Sequence, residues 1–303
     1  KKIKPDVILG NFPEVEFFIL AFEIAKELNI PFYAYFHDLW EENTKEGYQK
    51  KLAAKYEPAI IKYSKRVIAC TEFQKEFFDK KYGIDTDILL HPVPDNEVVE
   101  KTVSLNASKQ KEIVFLGSLS GLMNVDALSV ISHAITKLPP EYKFVFLPID
   151  DLPIPYLKSI GLNTDRIEVR VVSRDELDKE LQKADILLTP LSFKNGSDHE
   201  VKTVFSNKVL KYLVSGKPIL VYGPADSYHS VSARKNGWGY VVDEDSEEAF
   251  NEAVLKISGD EALQKKLVAA AFVEANRRRA SNEAAKVLKW VIEDFGNIPD
   301  QSK

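Results

Sequence analysis

The sequence predicts an α/β fold built from two tandem Rossmann-like domains, each a doubly wound parallel sheet, with the first domain shortened. Short apolar runs alternate with runs of helical spacing from Val7 to Phe295, and strands separated by helices are typical of parallel sheets covered on both faces. A polar and charged stretch, residues 96–111, interrupts this alternation as a linker does. The chain has 303 residues and 45% hydrophobic content, which is enough for two cores.

The first predicted domain comprises residues 1–95. Thr71 with Gln74 forms a capping-box start for its third helix. In chain order the predicted elements are strand Val7–Leu9, helix Phe17–Leu28, strand Pro31–Phe36, helix Tyr48–Tyr63, strand Arg66–Cys70, a helix ending at Tyr82 and strand Asp87–Leu90. His37 and Asp38 directly follow the second strand, at the end of a parallel strand where ligands bind in such sheets.

The second predicted domain comprises residues 112–280, and a last helix, Asn282–Phe295, lies in a separate C-terminal segment, 281–303. Ser173 with Glu176 predicts another capping box. The predicted strands are Glu112–Leu116, Tyr142–Leu147, Ile167–Val172, Asp185–Leu188, Ile219–Tyr222 and Gly239–Val242, and the helices are Val125–Leu138, Ser173–Ala184, Glu247–Ile257 and Asp260–Arg277. A long loop, Thr189–Ser206, follows the fourth strand.

The stretch from Phe205 to Pro224 predicts a short helix that leads into a buried strand. Ser206 or Asn207 can cap the helix, and Gly216 can end it in the left-handed conformation. The helix start offers unpaired backbone N–H groups beside Lys208, which suits a phosphate. The alternative is an ordinary βαβ crossover that holds no ligand.

Composition excludes several classes of protein. The net charge of −5 argues against a nucleic-acid partner. Cys70 is the single cysteine, so no intramolecular disulfide forms and a reducing, cytoplasmic location is expected. The sequence lacks an apolar run long enough to span a bilayer, and its five histidines lack metal-ligand spacing, so no metal is expected. Dinucleotide, P-loop and nucleophile-elbow motifs are missing as well.

The order of several short motifs resembles that of GT-B glycosyltransferases, in the large retaining group that includes glycogen synthase and many bacterial polysaccharide-assembly enzymes. The likeness extends over nearly the whole chain. The motifs are Pro5–Leu9, His37–Trp40, Arg66–Glu72, Val114–Ser118 with Val125–Leu128, Ala184–Pro190, and Ser206–Lys208 through Gly216–Pro218.

The resemblance implies a nucleotide-diphosphate sugar bound by the second domain and a saccharide or lipid-linked acceptor bound by the first, with the site in the cleft between them. It implies retention of configuration, no metal and no cofactor besides the donor substrate, and a last helix that returns to the first domain. The implied catalytic residues are His37 and Asp38. The donor-binding residues expected at matching or nearby positions are Gly117, Ser118, Glu200, Ser206, Asn207, Lys208 and Lys211.

The sequence departs from the family pattern at the donor site. The family usually has an arginine and a lysine that clamp the diphosphate, and Ser118 and Met123 stand in those places. It also has two glutamates eight residues apart, replaced here by Thr203 and Lys211. We expect Lys202, Lys208 or Lys211 to restore the positive charge. Glu200 or Asp198 is then the expected carboxylate.

The first domain is also shorter than in the family, and the chain begins with Lys1, close to its first apolar run. A preceding segment, or a partner that supplies it, is therefore expected at the first sheet. The run Arg277–Arg279 offers contact with an anionic membrane that carries a lipid-linked acceptor; the alternative is a solvated helix end.

The sequence thus predicts a glycosyltransferase that moves a sugar from a nucleotide-diphosphate donor to a saccharide or lipid-linked acceptor. The preserved Ser206–Lys208 start and His37–Asp38 favour this activity. The altered clamp favours the alternative, a non-catalytic or partner-dependent subunit that binds nucleotide or glycan. A nucleotide-sugar epimerase of the same fold is a third hypothesis, for which no acid–base pair can be named.

Overall fold

The computed structural model describes residues 5–102, 110–148, 152–196 and 198–296. The chain forms two compact units. The first contains the described residues up to His91 together with Asp198–Phe205, and the second contains the other described residues from Pro92 onward. The predicted α/β class with a parallel sheet in each of two domains is confirmed.

The first unit is a four-stranded sheet with helices packed against it. Its elements are β1 (Ile8–Phe12), α1 (Val15–Glu27), β2 (Phe32–Phe36), α2 (Trp40–Asn43), α3 (Tyr48–Tyr63), β3 (Arg66–Ala69), α4 (Glu72–Tyr82), β4 (Asp87–Ile88) and α8 (His199–Thr203). All strand pairs are parallel, and the strands lie in the order β1-β2-β3-β4. Within the described residues this sheet therefore runs in one direction, without a reversal of strand order.

Aromatic side chains fill the core of the first unit. Every residue of β2 is buried, as expected for an inner strand of a parallel sheet. Phe18, Phe36 and Trp40 pack together with ring centroids 5.2 to 6.0 Å apart. Trp40 is 1% exposed and is therefore part of this core.

Helix α1 has one apolar face buried and another exposed. Phe18, Phe22 and Ala25 face the core. The opposite face, with the residue that directly follows the helix, is here called the α1 stripe. It consists of Phe17, Leu20, Ile24 and Leu28, which are 40 to 72% exposed. Leu9 of the adjacent edge strand β1 is 50% exposed. An exposed apolar patch of this kind is typical of an interaction surface.

The second unit is a six-stranded parallel sheet with helices around it. Its elements are β5 (Lys111–Leu116), α5 (Val125–Lys137), β6 (Tyr142–Leu147), α6 (Ile154–Ser159), β7 (Ile167–Val169), α7 (Arg174–Lys183), β8 (Ile186–Pro190), α9 (Asn207–Leu213), β9 (Ile219–Tyr222), α10 (Tyr228–Asn236), β10 (Tyr240–Val242), α11 (Glu247–Gly259), α12 (Glu261–Arg277) and α13 (Ala280–Phe295).

The strand order β10-β9-β8-β5-β6-β7 reverses direction between β5 and β8. After β5 the chain adds strands on one side, through β6 and β7, and then returns to add β8 to β10 on the other. A doubly wound sheet opens a crevice at this point, beyond the carboxyl ends of its strands. The sheet topology alone therefore marks where the second unit is expected to bind a ligand.

Most predicted elements are present, and four short helices were missed. The predicted bounds of α3, β6 and β9 agree with the structure, and the predicted linker, residues 96–111, ends where β5 begins at Lys111, with 103–109 outside the described residues. The predicted loop Thr189–Ser206 contains α8, which belongs to the first unit. The other missed helices are α2, α6 and α10.

Side-chain hydrogen bonds of Arg278 and Arg279 stabilise the C-terminal part of the second unit. Arg278 is 0% exposed and its Nε donates to Glu274 at 2.6 Å. Arg279 donates to the carbonyls of Asp95 and Val98. The prediction that this arginine run is a membrane-facing patch or a solvated helix end is therefore wrong for Arg278, because its guanidinium is buried.

Helix α13 groups with the second unit. Its predicted return to the first domain remains a prediction. None of the described helices is long and apolar enough to cross a membrane.

Candidate active site

A cavity of about 570 Å³ opens at the carboxyl ends of the strands in the second sheet. Its lining comes from the residues after β5, β6 and β7 and from the start of α9, on the crevice side where the strand order reverses. Its lining residues are Leu116, Gly117, Ser118, Pro148, Val172, Ser173, Arg174, Leu177, Ser206, Asn207 and Lys208. We call this the donor cavity, since five of these are predicted donor-binding residues.

Gly117 follows β5 and brings the backbone close to Lys208. Its φ of +139° lies in a region that side chains rarely adopt, and a Cβ built there would lie 3.1 Å from Lys208 Nζ. Glycine is therefore needed for the turn, and a side chain there would also push the amine back by a few tenths of an ångström. Tyr212 of α9 accepts a hydrogen bond from Leu116 N at 2.8 Å, which locks the helix against the end of β5.

Lys208 is the cation nearest to this glycine turn. Its Nζ lies 4.3 Å from the centroid of the Phe115 ring. Burial among these groups lowers the pKa of Lys208 to about 7. The amine is therefore poised to gain charge when an anion enters the cavity.

The start of α9 is held by a buried histidine. Ser206 N donates to Nε2 of His229 at 3.1 Å. Burial first, and then the charges of Lys208 and Arg278, lower the pKa of His229 to about 3, so its imidazole stays neutral and accepts this bond. Lys208 lies in the first turn of α9, so its amine and the first backbone N–H groups of this seven-residue helix are the positive groups on this side of the cavity.

The loop after Gly117 is fixed by Asn124. The Asn124 side chain donates to Ser118 O at 3.2 Å and accepts from Ser120 N at 3.0 Å. Ser118 thus lies on the cavity wall, at the position where the family has an arginine.

Arg174 is the site residue that the sequence reasoning missed. It begins α7 and lines the donor cavity. The sequence did contain a pattern that indicates Arg174. Ser173 and Glu176 predict a helix start directly after β7, at the end of the sheet where ligands bind, and Arg174 is the first residue of that helix. The Ser173 hydroxyl donates to the Glu176 carboxylate at 2.7 Å, which fixes the turn that presents Arg174.

Two predicted donor-binding residues lie elsewhere. Lys211 Nζ binds both carboxylate oxygens of Glu97 at 2.9 Å and lines a separate cavity of about 210 Å³. Glu200 is part of α8, in the first unit. The structure therefore does not bring either residue to the donor cavity.

In the first unit Glu200 lies near the predicted catalytic Asp38. Burial, and then the charge of Glu200, raise the pKa of Asp38 to about 6. Burial and the neighbouring Asp198 raise the pKa of Glu200 as well, while Lys45 opposes this. Carboxyl groups perturbed in this way are frequent at functional sites.

His37 contacts a second histidine that sequence spacing did not reveal. Its Nδ1 lies 2.7 Å from Nε2 of His91. Burial lowers the pKa of His37. Because His37 follows β2 and His91 follows β4, the two meet only when the sheet forms.

An acidic cluster in the first unit has a structural explanation. Glu41, Glu42 and Glu57 bring carboxylates close enough together to hold a cation. However, Lys81 Nζ binds all three, at distances of 2.6 to 2.9 Å. The ammonium group of Lys81 thus stands among the three carboxylates and offsets part of their charge.

Comparison with protein-family models supports the glycosyltransferase class that the sequence predicts. Residues 1–92 match the model described as Glycosyltransferase Family 4, and residues 110–260 match the model Glycosyl transferases group 1. The protein is a GT-B glycosyltransferase, assembled from these two family domains. A search of curated protein sequences found no match.

Solved structures share the fold at low sequence identity. Anabaena Alr3699/HepE in complex with UDP and glucose is 12% identical, with a TM-score of 0.71 over 95% of this chain and 78% of that one. Sucrose-phosphate synthase from Thermosynechococcus elongatus is also 12% identical, with a TM-score of 0.67 over 96% and 74%. A glycosyltransferase from Rickettsia africae is 14% identical, with a TM-score of 0.62 over 92% and 81%.

Proposed function

We propose that this protein transfers a sugar from a nucleotide-diphosphate donor to a saccharide or lipid-linked acceptor, with retention of configuration, in polysaccharide assembly. The observation that carries the proposal is the apposition of Lys208 Nζ to the turn at Gly117 inside the donor cavity. Structures of Anabaena Alr3699/HepE contain UDP and UDP-glucose, which supports a uridine nucleotide as the first donor to test.

Departure of the nucleoside diphosphate leaves negative charge that the site must stabilise. Lys208 supplies an amine at the Gly117 turn, and Arg174, which also lines the cavity, supplies a guanidinium. These two cations would replace the family's arginine and lysine, whose places are taken by Ser118 and Met123. In the first unit, His37 and Asp38 would contact the donor sugar or the acceptor. The diphosphate itself would act as the base, so the mechanism needs no strong protein base.

Thermal unfolding with nucleotides tests the donor site. Binding to the native state alone stabilises the protein, by about 2.7 kcal/mol at a ligand concentration 100 times Kd. We expect UDP, GDP or ADP, or one of their sugars, to raise the midpoint in the wild-type protein. Lys208→Met should weaken binding by about 10- to 100-fold, the effect of losing one hydrogen bond to a charged group.

A matched control is available on helix α7. Lys179 is exposed and lies outside the lining of the donor cavity, so Lys179→Met should bind nucleotide like the wild type. Arg174→Met on the same helix should weaken binding. If no nucleotide shifts the midpoint, or if all three variants behave alike, the donor site is not where we propose.

A partner-dependent activity is a second candidate, supported by the α1 stripe and by the exposed Leu9 on the edge strand β1. A further strand and helix, from a partner or from the same protein, would cover this face. We also propose a cytoplasmic location. The proposal includes peripheral contact with a membrane that carries a lipid-linked acceptor; of the basic run, Arg277 is exposed for such a contact and Arg278 is buried.

A further inference from the structure

The rings of His37 and His91 form one hydrogen-bonded pair at the carboxyl end of the first sheet. Nδ1 of His37 and Nε2 of His91 are 2.7 Å apart, and the ring centroids are 4.7 Å apart at an interplanar angle of 31°. His91 is 8% exposed, and His37 is partly exposed. His91, the inner member of the pair, is thus buried, and His37, the outer member, remains accessible.

Hydrogen bonds to its carbonyl oxygen fix the backbone of His37. Its ring is held by neighbouring side chains. The Gln74 amide donates to His37 O at 2.8 Å, and Cys70 Sγ donates to the same carbonyl at 3.2 Å. On one side of the ring lies Tyr35, with centroids 4.3 Å apart. Tyr35 in turn donates to Leu89 O at 2.8 Å, which ties it to the segment that carries His91.

The hydrogen bond between the two imidazoles also limits their charge. One nitrogen of the pair must carry the bridging proton while the other accepts it. A single added proton gives an imidazolium that is bound to a neutral imidazole. A second would place two positive charges on rings that are in contact, which is unfavourable. Nε2 of His37 is the nitrogen left for a ligand.

We propose that His91 is a positioning residue for His37, which fixes the orientation and tautomer of its ring so that Nε2 faces the sugar hydroxyl it binds. This inference rests on the proposed transferase function, in which His37 contacts the donor sugar or the acceptor. The titratable groups near the pair are the Asp38 carboxyl, which follows His37 in the chain and senses Glu200, the Cys70 thiol and the Tyr35 hydroxyl.

The test uses nitrogen-15 NMR of the histidine side chains together with kinetics. In the wild-type protein, His37 and His91 should titrate together, and His37 should show one dominant tautomer. His91→Leu removes the hydrogen bond with similar volume, so His37 should titrate alone and lose its single tautomer. His91→Gln keeps an amide that can bond to Nδ1 and should restore the tautomer.

Kinetics should follow the NMR result. We expect kcat to fall about 10-fold or more in His91→Leu, as for a misplaced reacting group, and to recover in His91→Gln. The Kd of the nucleoside diphosphate alone should stay within about twofold in both variants, because the donor cavity belongs to the second unit and His37 to the first. His133→Gln, at an exposed histidine in α5, is the matched control, and thermal unfolding shows whether each variant folds.

The readouts separate this inference from the proposed function. Independent titration of His37 and His91 in the wild type, or an unchanged His37 tautomer in His91→Leu, would overturn the positioning role whether or not the protein is active. An active His91→Leu enzyme with wild-type kcat would overturn it too. A wild-type protein without transferase activity would instead overturn the proposed function, while the NMR titration still decides what His91 does to His37.

Discussion

Lys208 holds a full positive charge only below its pKa, which burial lowers to about 7. A bound diphosphate favours the charged amine and therefore raises this pKa. Binding should take up a proton between pH 7 and the pKa of the complex, and affinity should fall by up to about tenfold per pH unit in that range. Titration calorimetry in buffers of different ionisation enthalpy measures this uptake. Lys208→Met should abolish it, and uptake that persists in that variant would assign the proton to another group.

Asp38 should destabilise the fold at neutral pH. Its pKa rises from about 4 in an unfolded chain to about 6 in the protein. Between these values the folded state binds more protons than the unfolded state. The stability that the protonated Asp38 carboxyl allows is therefore fully present below pH 4 and is lost as the pH rises through 6. Asp38→Asn should therefore stabilise the protein by about 1 to 2 kcal/mol at pH 7, with partial exposure allowed for.

Urea denaturation at pH 4 and pH 7 measures this effect. The gain in free energy of unfolding of Asp38→Asn should vanish at pH 4. If Asp38 acts in the reaction, kcat of this variant should fall at both pH values. An equal gain at both pH values would show that the carboxyl charge is not its cause.

The turn between β5 and the following loop depends on Gly117. Its φ is +139°, and an added Cβ would lie 3.1 Å from Lys208 Nζ, so Gly117→Ala should both strain the backbone and displace the amine. We expect a loss of about 1 to 3 kcal/mol in stability and weaker nucleotide binding. Gly121→Ala, in the same loop, is the control, because its Cβ meets open space and its φ is not in the strained range. Equal effects of both changes would contradict a special role for Gly117.

Helix α1 offers a test of what its two faces do. Phe17 is 72% exposed and Phe18, its neighbour in sequence, is 1% exposed. Phe17→Ala should change the free energy of unfolding by less than about 0.5 kcal/mol, whereas Phe18→Ala should cost about 3 to 5 kcal/mol. Denaturant unfolding compares them. If the α1 stripe also mediates association, sedimentation should show that Phe17→Ala reduces it, and a strongly destabilised Phe17→Ala would show that the face is covered in solution.

Secondary structure followed from the sequence where elements were long or carried a capping signal. Helix α3 has the predicted bounds. At the start of α4, the Thr71 side chain accepts a hydrogen bond from Gln74 N, as the predicted capping motif requires. Helices α2 and α8, with four and five residues, have too few turns for a periodic pattern. In α8, Asp198 accepts from Glu200 N, a local cap that was visible only as an isolated acidic residue in the sequence.

At the scale of the whole molecule, the sequence indicated residues that line one cavity, whereas their role in donor binding stays a prediction. The order of strands and the Gly117 and Ser206–Lys208 positions were enough to indicate one site, because sheet topology fixes where strand ends meet. Lys211 lies outside this cavity because its amine pairs with Glu97, a contact between distant parts of the chain that the sequence does not reveal. His91 was missed because β2 and β4, separated by β3, bring distant residues together only after folding.

Hydrogen exchange can test the assignment of the donor to one unit. Amides at Gly117, Ser118, Asn207 and Lys208 line the donor cavity, so a nucleoside diphosphate should slow their exchange. Peptides that contain His37 and His91 belong to the first unit and should exchange at an unchanged rate with nucleotide alone. Adding the donor sugar or an acceptor should then protect the His37 peptide. Mass spectrometry of the wild type and Lys208→Met makes the comparison. Nucleotide-dependent protection that is confined to the first unit would contradict the donor site, because Lys208 and its cavity would then play no part in binding.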